Sequence, residues 1–387
     1  MIQIDDPSKC CGCTACASIC AHKAISMKPD ALGFLYPEVD REKCTECGLC
    51  EKVCAFNPNY ERSSNLPVPL VYGVRHKKME EILKSRSGAM FVALSDWVLN
   101  QNGIIYGAGY TDHFRVVHKR ATNAEERNEF RGSKYVQSDL NDSFLSVAKD
   151  LNAGRIVLFS GTPCQTSGLQ SFLRLKKIST ESLYIVDIVC HGVPSPYVWR
   201  EYLNYIENFN EEKAIAVDFR DKSKLGWAAH KESFRFQHHK HTTGAYTYLF
   251  YEHIMFRHSC GNCHFTNFTR PSDITLADFW GWQNTDPEFN ADDKGVSLVL
   301  VNTSKGEELF NAVKNDIQFI KSDTYKCLQP NLQHPSAINR NREKFEKDFA
   351  KHGFVYCAKK YGNKGWRYKL RIFKRKCRTA MRLIFKR

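Results

Sequence analysis

From Leu70 to about Asp323 the chain alternates short apolar runs with stretches whose apolar residues return every three or four positions. LVYGVR, GIIYGAGY and FRVVH are short, rich in β-branched and aromatic residues, and read as strands. MFVALSDWVLN keeps its apolar residues on one face at helical spacing, which predicts a helix. RIVLFS, SGLQSFLRL, LYIVDIVC and the segment from about Pro196 then read strand, helix, strand, helix. That order predicts a βαβ unit with parallel strands. SFRFQ, DITLADF and GVSLVLVNT read as further strands. The fold class expected is therefore α/β or α+β, a mixed α/β body. Residues 57–69, NPNYERSSNLPVP, are polar and proline-bearing, and read as a linker between this body and what precedes it.

Charge changes the picture only at one end. Lys359 to Arg387 holds thirteen Lys or Arg and no acidic residue, so the net charge of +14 leaves about +1 for everything before it. Trp366, Leu370, Phe373, Cys377, Met381 and Ile384 step by three and four through this stretch. Residues 359–387 are expected to form a basic amphipathic helix, which suits an anionic membrane surface. The alternative is a helix whose apolar stripe packs on the body. Nucleic acid is not the expected partner, because no reader motif accompanies the charge. No apolar run approaches the roughly 18 residues that span a bilayer. MIQIDDPSKCC lacks a secretory pattern. The expected location is cytoplasmic, with peripheral attachment at the inner face of the membrane through the tail.

Sixteen cysteines carry the chemistry, and they are unevenly spread. Cys10, Cys13, Cys16 and Cys20 have the spacing C-x2-C-x2-C-x3-C, and Cys44, Cys47, Cys50 and Cys54 repeat it. The doubled motif is the signature of a ferredoxin with two 4Fe–4S clusters. The fourth cysteine of each run ligates the other cluster, so one set is Cys10, Cys13, Cys16 and Cys54 and the other is Cys44, Cys47, Cys50 and Cys20. Zinc also uses C-x2-C pairs, but eight cysteines in two identical runs overshoot one zinc site. Residues 1–60 are thus expected to be a two-cluster ferredoxin-type domain. Gly12 and Gly48 fit a backbone passing close to inorganic sulfide. The proline usual after the fourth cysteine is replaced by Ala21 and Ala55. Cys11 lies off the pattern and reads as a small packing residue or an oxidation-sensitive neighbour.

Four more cysteines sit in the body. Thr162 and Pro163 open a helix and place Cys164 at its N-terminus. Cys190 ends a strand, and Cys260 and Cys263 form one C-x2-C pair. An α/β scaffold collects such positions at the carboxyl edge of its sheet. By spacing alone they fit a third cubane cluster, a zinc site with His258 or His264, a Cys190–His191 nucleophile, or plain buried cysteines.

SGAMFVAL, IIYGAGYTDHFRVVHKRAT, FRGSKYVQSDL, FSGTPCQ, CHGVPSP, DFRDKSKLGW and CGNCHFTNFTRPSDITLADFWG run in this order from Ser87 to Trp282. Together they resemble the beta-subunit family of the coenzyme F-420 hydrogenases and dehydrogenases, which includes 7-hydroxymethyl chlorophyll a reductase. The resemblance implies that 70–155 and 156–330 are the N- and C-terminal parts of that subunit, behind a ferredoxin-type domain. It implies an FAD-dependent oxidoreductase with a third 4Fe–4S cluster on Cys164, Cys190, Cys260 and Cys263. Flavin contacts would fall at Ser87 and Gly88, and at Arg131, Gly132, Ser133, Lys134 and Tyr135. The family often has glycine where this chain has Ala89. Candidates to orient substrate and move protons are His191, Lys222 and Asp278. No G-x-G-x-x-G stands between a strand and a helix, so a Rossmann dinucleotide site is not indicated.

The function this implies is electron passage between an organic hydride donor or acceptor at FAD and a one-electron partner, through 4Fe–4S clusters. The partner is an electron-transfer protein or a small hydride carrier. The competing expectation is a cluster-bearing redox sensor or adaptor without flavin catalysis.

Overall fold

The computed structural model describes residues 1–57, 65–223 and 226–363, with 365, 368 and 370 beyond them. The cysteine-rich unit is α1 (Ala15–Ile19), the hairpin β1 (Ile25–Pro29) and β2 (Leu35–Val39), and α2 (Leu49–Lys52). The body continues with β3 (Leu70–His76), α3 (Met79–Lys84), α4 (Met90–Asn100), β4 (Ile104–Thr111) and β5 (Arg115–Ala121). Next come α5 (Ala124–Asn128), α6 (Ser143–Asn152), β6 (Val157–Gly161), α7 (Pro163–Leu175), β7 (Leu183–Ile188) and α8 (Pro196–Asn210). β8 (Ala216–Asp218), β9 (Glu232–Arg235) and β10 (Lys240–Thr243) form a small antiparallel sheet, followed by α9 (Ala245–Tyr251). β11 (Ile274–Asp278), β12 (Ser297–Val301), α10 (Ser304–Ala312), β13 (Ile317–Ser322) and α11 (Arg342–Lys360) close the described chain.

One eight-stranded sheet organises the body, in the order β13-β3-β12-β11-β7-β6-β4-β5. Its centre, β4, β6, β7 and β11, is parallel, and antiparallel strands flank it on both sides. β12 reads SLVLV and is buried at every position, as a strand covered on both faces must be. The predicted βαβ unit is β6–α7–β7, with Val157 to Gly161 in parallel register with Leu183 to Asp187. Pro163 sits in the first turn of α7, and the Gln165 side chain accepts the Thr162 N–H. Ser195 caps α8 by accepting the Val198 N–H at 3.0 Å. The stretches expected at 70–155 and 156–330 contribute to this single sheet, with β4 paired to β6 across the boundary.

The cysteine-rich unit packs on the body, and residues 58–64 of the expected linker lie outside the described residues. Cys11, Cys13, Ala15, Cys16, Ile19 and Val53 share one apolar core with Phe144, Leu169 and Phe172 of α6 and α7. Leu32 and Phe34 of its hairpin enter a second core with Tyr202, Tyr246 and Phe345. A Cβ on Gly168 would stand 2.8 Å from Cys13 Sγ, so α7 can lie this close only because position 168 has no side chain. Gly168→Val is expected to push α1 off α7, lowering the melting temperature and speeding proteolysis at residues 1–57. Unchanged values would show that the contact yields freely.

Most of the basic tail expected at 359–387 lies outside the described residues, and Lys359 and Lys360 end α11. Tyr368 packs edge-on against Tyr248 of α9, with ring centroids 5.2 Å apart. Among the described residues no helix is long and apolar enough to cross a membrane.

Candidate functional site: two cysteine centres and an arginine-lined cavity

Each N-terminal motif turns on the same two positions. The residues before and after the second cysteine are left-handed: Gly12 (φ 69) and Thr14 (φ 60) in the first, Glu46 (φ 53) and Gly48 (φ 72) in the second. Thr14 and Glu46 carry the strain a glycine would not. Gly12 has a further reason to be bare, since a Cβ there would meet the Arg257 guanidinium at 2.7 Å. Backbone N–H groups already aim at sulfur: Ile2 N–H donates to Cys50 Sγ and Ala24 N–H to Cys20 Sγ, both at 3.3 Å. Cys13, Cys16 and Cys50 are buried, whereas Cys47 is exposed. Cys47 therefore faces solvent, and Cys13 faces the body.

Two of the body cysteines come from the ends of adjacent parallel strands. Cys164 follows β6 at the first turn of α7, and Cys190 lies just past β7. Cys260 sits in the 3-10 turn His258–Asn262, with Cys263 directly after it. Val193 N–H donates to Cys260 Sγ at 3.3 Å, which ties the Cys190 loop to this turn. Cys164, Cys190, Cys260 and Cys263 line one pocket. The buried pair Arg270–Asp187, at 2.9 Å, locks the segment after Cys263 onto the end of β7. Burial pushes the Cys260 thiol up to about 12 and Cys263 up to about 11. Cys164 is drawn down to about 7, chiefly by a hydrogen bond from Cys11. Among the described residues, no three His, Cys, Asp or Glu side chains converge as ligands of one ion do. A cubane cluster takes one thiolate at each of four irons, so its ligands stand apart. Four thiols around one buried pocket are a donor set of that kind.

Cys190 also lines a second, larger cavity of about 370 Å³. Ser87, Arg131, Gly132, Ser133, Lys134, Tyr135, His191 and Asp278 all face it, drawn from four separated stretches of sequence. Gly88 does not. A Cβ there would meet the Val74 carbonyl oxygen at 1.9 Å and the Ser297 nitrogen at 2.7 Å, so this glycine is required by packing against β3 and β12. Lys222 does not face it either; its ammonium donates to the carbonyls of Ile82 (2.8 Å) and Lys294 (2.7 Å). Ala89 lines the cavity in a left-handed conformation (φ 65), a backbone that glycine adopts without strain.

The cavity holds buried positive charge with nothing opposite part of it. Arg86, Arg131 and Arg220 line it, each with one carboxylate partner: Asp218 at 2.6 Å, Glu81 at 2.6 Å and Asp278, respectively. Arg86 Nη1, Arg131 Nε and Nη1, and Arg220 Nε are buried without a hydrogen-bond partner among the described residues. Burial works against the Arg220 charge, but Asp278 more than offsets it and holds the guanidinium protonated. Lys134 donates to the carbonyls of Glu129, Arg131 and Gly132, and burial brings it down to about 7. Unpaired buried guanidinium nitrogens are costly unless an anion meets them. Another cavity, of about 460 Å³, lies between Gly12 and Trp199, but none of its lining side chains carries such an orphaned atom among the described residues.

Three imidazoles, His118, His191 and His230, face the same cavity. His253 Nδ1 donates to the Ala337 carbonyl at 2.9 Å, so a neutral His253 presents Nε2 as acceptor. His191 Nε2 stands 2.7 Å from it and, against a neutral His253, is the donor, which leaves His191 Nδ1 as a lone pair. Burial holds His191 down to about 4. His230 pairs with the Tyr251 hydroxyl and lies beside Trp280, which stacks on Trp227. His118 is fixed between the Ser160 carbonyl and Ser138, both at 3.0 Å.

Burial brings His118 from 6.5 to about 4, opposed in part by its hydrogen bond to the Ser160 carbonyl and by Asp139, and aided slightly by Lys134. Its neutral form is thus favoured by folding, so this stability is complete above about pH 6.5 and is lost as pH falls toward 4. His118→Gln is expected to lose about 2 kcal/mol less than the parent between pH 7 and pH 5 in urea unfolding. Equal losses would count against a buried neutral imidazole.

The comparisons with known proteins follow this geometry. Residues 154–324 match the family model for the C terminus of the coenzyme F420 hydrogenase/dehydrogenase beta subunit, and residues 9–57 match the 4Fe-4S dicluster domain. The chain belongs to the coenzyme F420 hydrogenase/dehydrogenase beta-subunit-like family, fused to a 4Fe-4S dicluster ferredoxin domain. It is an iron–sulfur electron-transfer oxidoreductase of that family. Among solved structures, a chain from the F420-reducing NiFe hydrogenase complex of Methanosarcina barkeri is similar at 17% identity, over 76% of this chain and 90% of that one, with a TM-score of 0.45. No curated protein matches.

Sequence reasoning missed two of the three cavity arginines. Arg220 lies two residues from Lys222 in DFRDKSKLGW, and Arg86 lies next to Ser87, so the motifs pointed to the segments that carry these arginines. Arg257 had no local mark. Its partners, Cys10, Gln137 and Leu35, lie more than a hundred residues away.

Proposed function

We propose that this family member is an FAD-dependent oxidoreductase carrying a third 4Fe–4S cluster on Cys164, Cys190, Cys260 and Cys263. The observation behind this reading is that Cys190 borders both the cysteine pocket and the cavity with the orphaned arginines. FAD, when bound, exchanges a hydride with an organic partner and single electrons with clusters.

The chain's own groups suit that ligand. Arg86 and Arg131 offer guanidinium nitrogens to a pyrophosphate, and the left-handed Gly132 keeps that loop open beside Arg86. Tyr135, packed on Phe219 and Phe250, gives a rigid aromatic wall. Arg220, held by Asp278, places a fixed positive charge opposite Trp280, with its carbon 5.4 Å from the ring centre. His191 Nδ1 is a group able to accept a hydrogen bond from a substrate in the cavity. Asp278 acts by holding Arg220, and Lys222 is assigned no catalytic part. The exposed Cys47 side of the ferredoxin unit suits a one-electron partner protein.

The test is anaerobic reduction. The protein should show a bound-flavin absorption band that bleaches on adding a reduced deazaflavin or a reduced nicotinamide. A preparation with full ferredoxin iron but no flavin, even after incubation with FAD, would contradict this function.

A further inference from the structure

We propose that Cys11, with the ring pair Phe56–His264, couples the inner ferredoxin centre to the body cysteine centre. This rests on the reading that Cys164, Cys190, Cys260 and Cys263 hold a cluster, and adds how the two centres are joined.

Three contacts converge on the seam. Cys11 packs in one apolar core with Cys13 and Cys164, one member of each set. Phe56, two residues after Cys54, stacks on His264, the residue after Cys263, with centroids 4.5 Å apart and planes 27° apart. Arg257, three residues before Cys260, is fully buried and reaches back across the seam. It donates to the Cys10 carbonyl at 2.7 Å and to Cys10 Sγ at 3.4 Å. Cys11 and Phe56 both line the pocket of the body cysteines.

The off-pattern cysteine thereby acquires a purpose. A thiol between two ligand thiolates can donate to either, and hydrogen bonds to cluster sulfur stabilise the reduced state. Alanine at position 11 would fill the space less well and donate nothing. Serine would keep a donor with a shorter reach. Cys11 is a positioning residue, since it ligates neither centre.

The experiment is electron paramagnetic resonance of the full chain under stepwise reduction, with iron measured on every sample. In the parent, the fully reduced spectrum should show splitting or broadening absent from half-reduced samples, because the inner and body centres interact. Cys11→Ala should keep its iron and move the midpoints of both centres to lower potential together, with Cys11→Ser between it and the parent. Full iron with a parent spectrum that is a plain sum of isolated centres would overturn the coupling while leaving the body cluster standing. Full iron with neither midpoint moved in Cys11→Ala would overturn the role of Cys11. If the alanine variant loses iron, the parent spectrum and the serine variant decide. About eight irons in the parent would overturn the body cluster and this inference together.

Discussion

Replacing Cys190 by serine is expected to lower the iron of anaerobically purified protein from about twelve to about eight atoms per chain. The two ferredoxin centres draw on cysteines of residues 10–54, none of which the substitution touches. Serine is close to cysteine in size, so the loop between β7 and α8 keeps its hydrogen bonds, including Val193 N–H to Cys260 Sγ. Cys260→Ser and Cys263→Ser should behave alike, because each removes one of the four thiolates that hold the body centre. Cys327 and Cys357 are buried in the body but line neither the cysteine pocket nor the cavity, and serine there should leave iron unchanged. Iron that stays at the parent value in the Cys190, Cys260 and Cys263 variants would separate the body cysteines from metal.

Arg131→Ala is expected to weaken FAD binding by about tenfold to a hundredfold. Arg131 is 9% exposed, is paired with Glu81 through one nitrogen, and has two more buried nitrogens without partners among the described residues. A charge-assisted hydrogen bond contributes roughly 1.5–3 kcal/mol, which sets that range. Arg131→Lys should recover only part of it, since a lysine carries the charge without the planar fork. Fluorescence titration of flavin-depleted protein with FAD reads the loss, and iron content serves as the control for folding. Unchanged affinity in Arg131→Ala would move the phosphate site elsewhere in the cavity.

The legibility of this chain follows from where each kind of information is stored. α4 spans Met90–Asn100, the predicted MFVALSDWVLN, because one buried helix face imposes a period that local sequence must show. The β6–α7–β7 unit was readable for the same reason. β13 was not, since Ile317 is its only buried residue and an exposed edge strand leaves no apolar pattern. α11 was hidden by a kink at Gly353 (φ 70), which breaks its periodicity. At the site, spacing is enough to mark the ferredoxin cysteines because they are local. The orphaned nitrogens of Arg86, Arg131 and Arg220 depend on three distant segments meeting, and no window of sequence contains that meeting. Cys11 is the same case in miniature: its neighbours Cys13 and Cys164 lie two and more than a hundred and fifty residues away.

The most direct measurement is iron, acid-labile sulfide and flavin per chain in protein purified without oxygen. About twelve irons, about twelve sulfides and one FAD are expected, corresponding to three cubane clusters and a filled arginine cavity. About eight irons without flavin would leave the ferredoxin unit intact and contradict the account of the body.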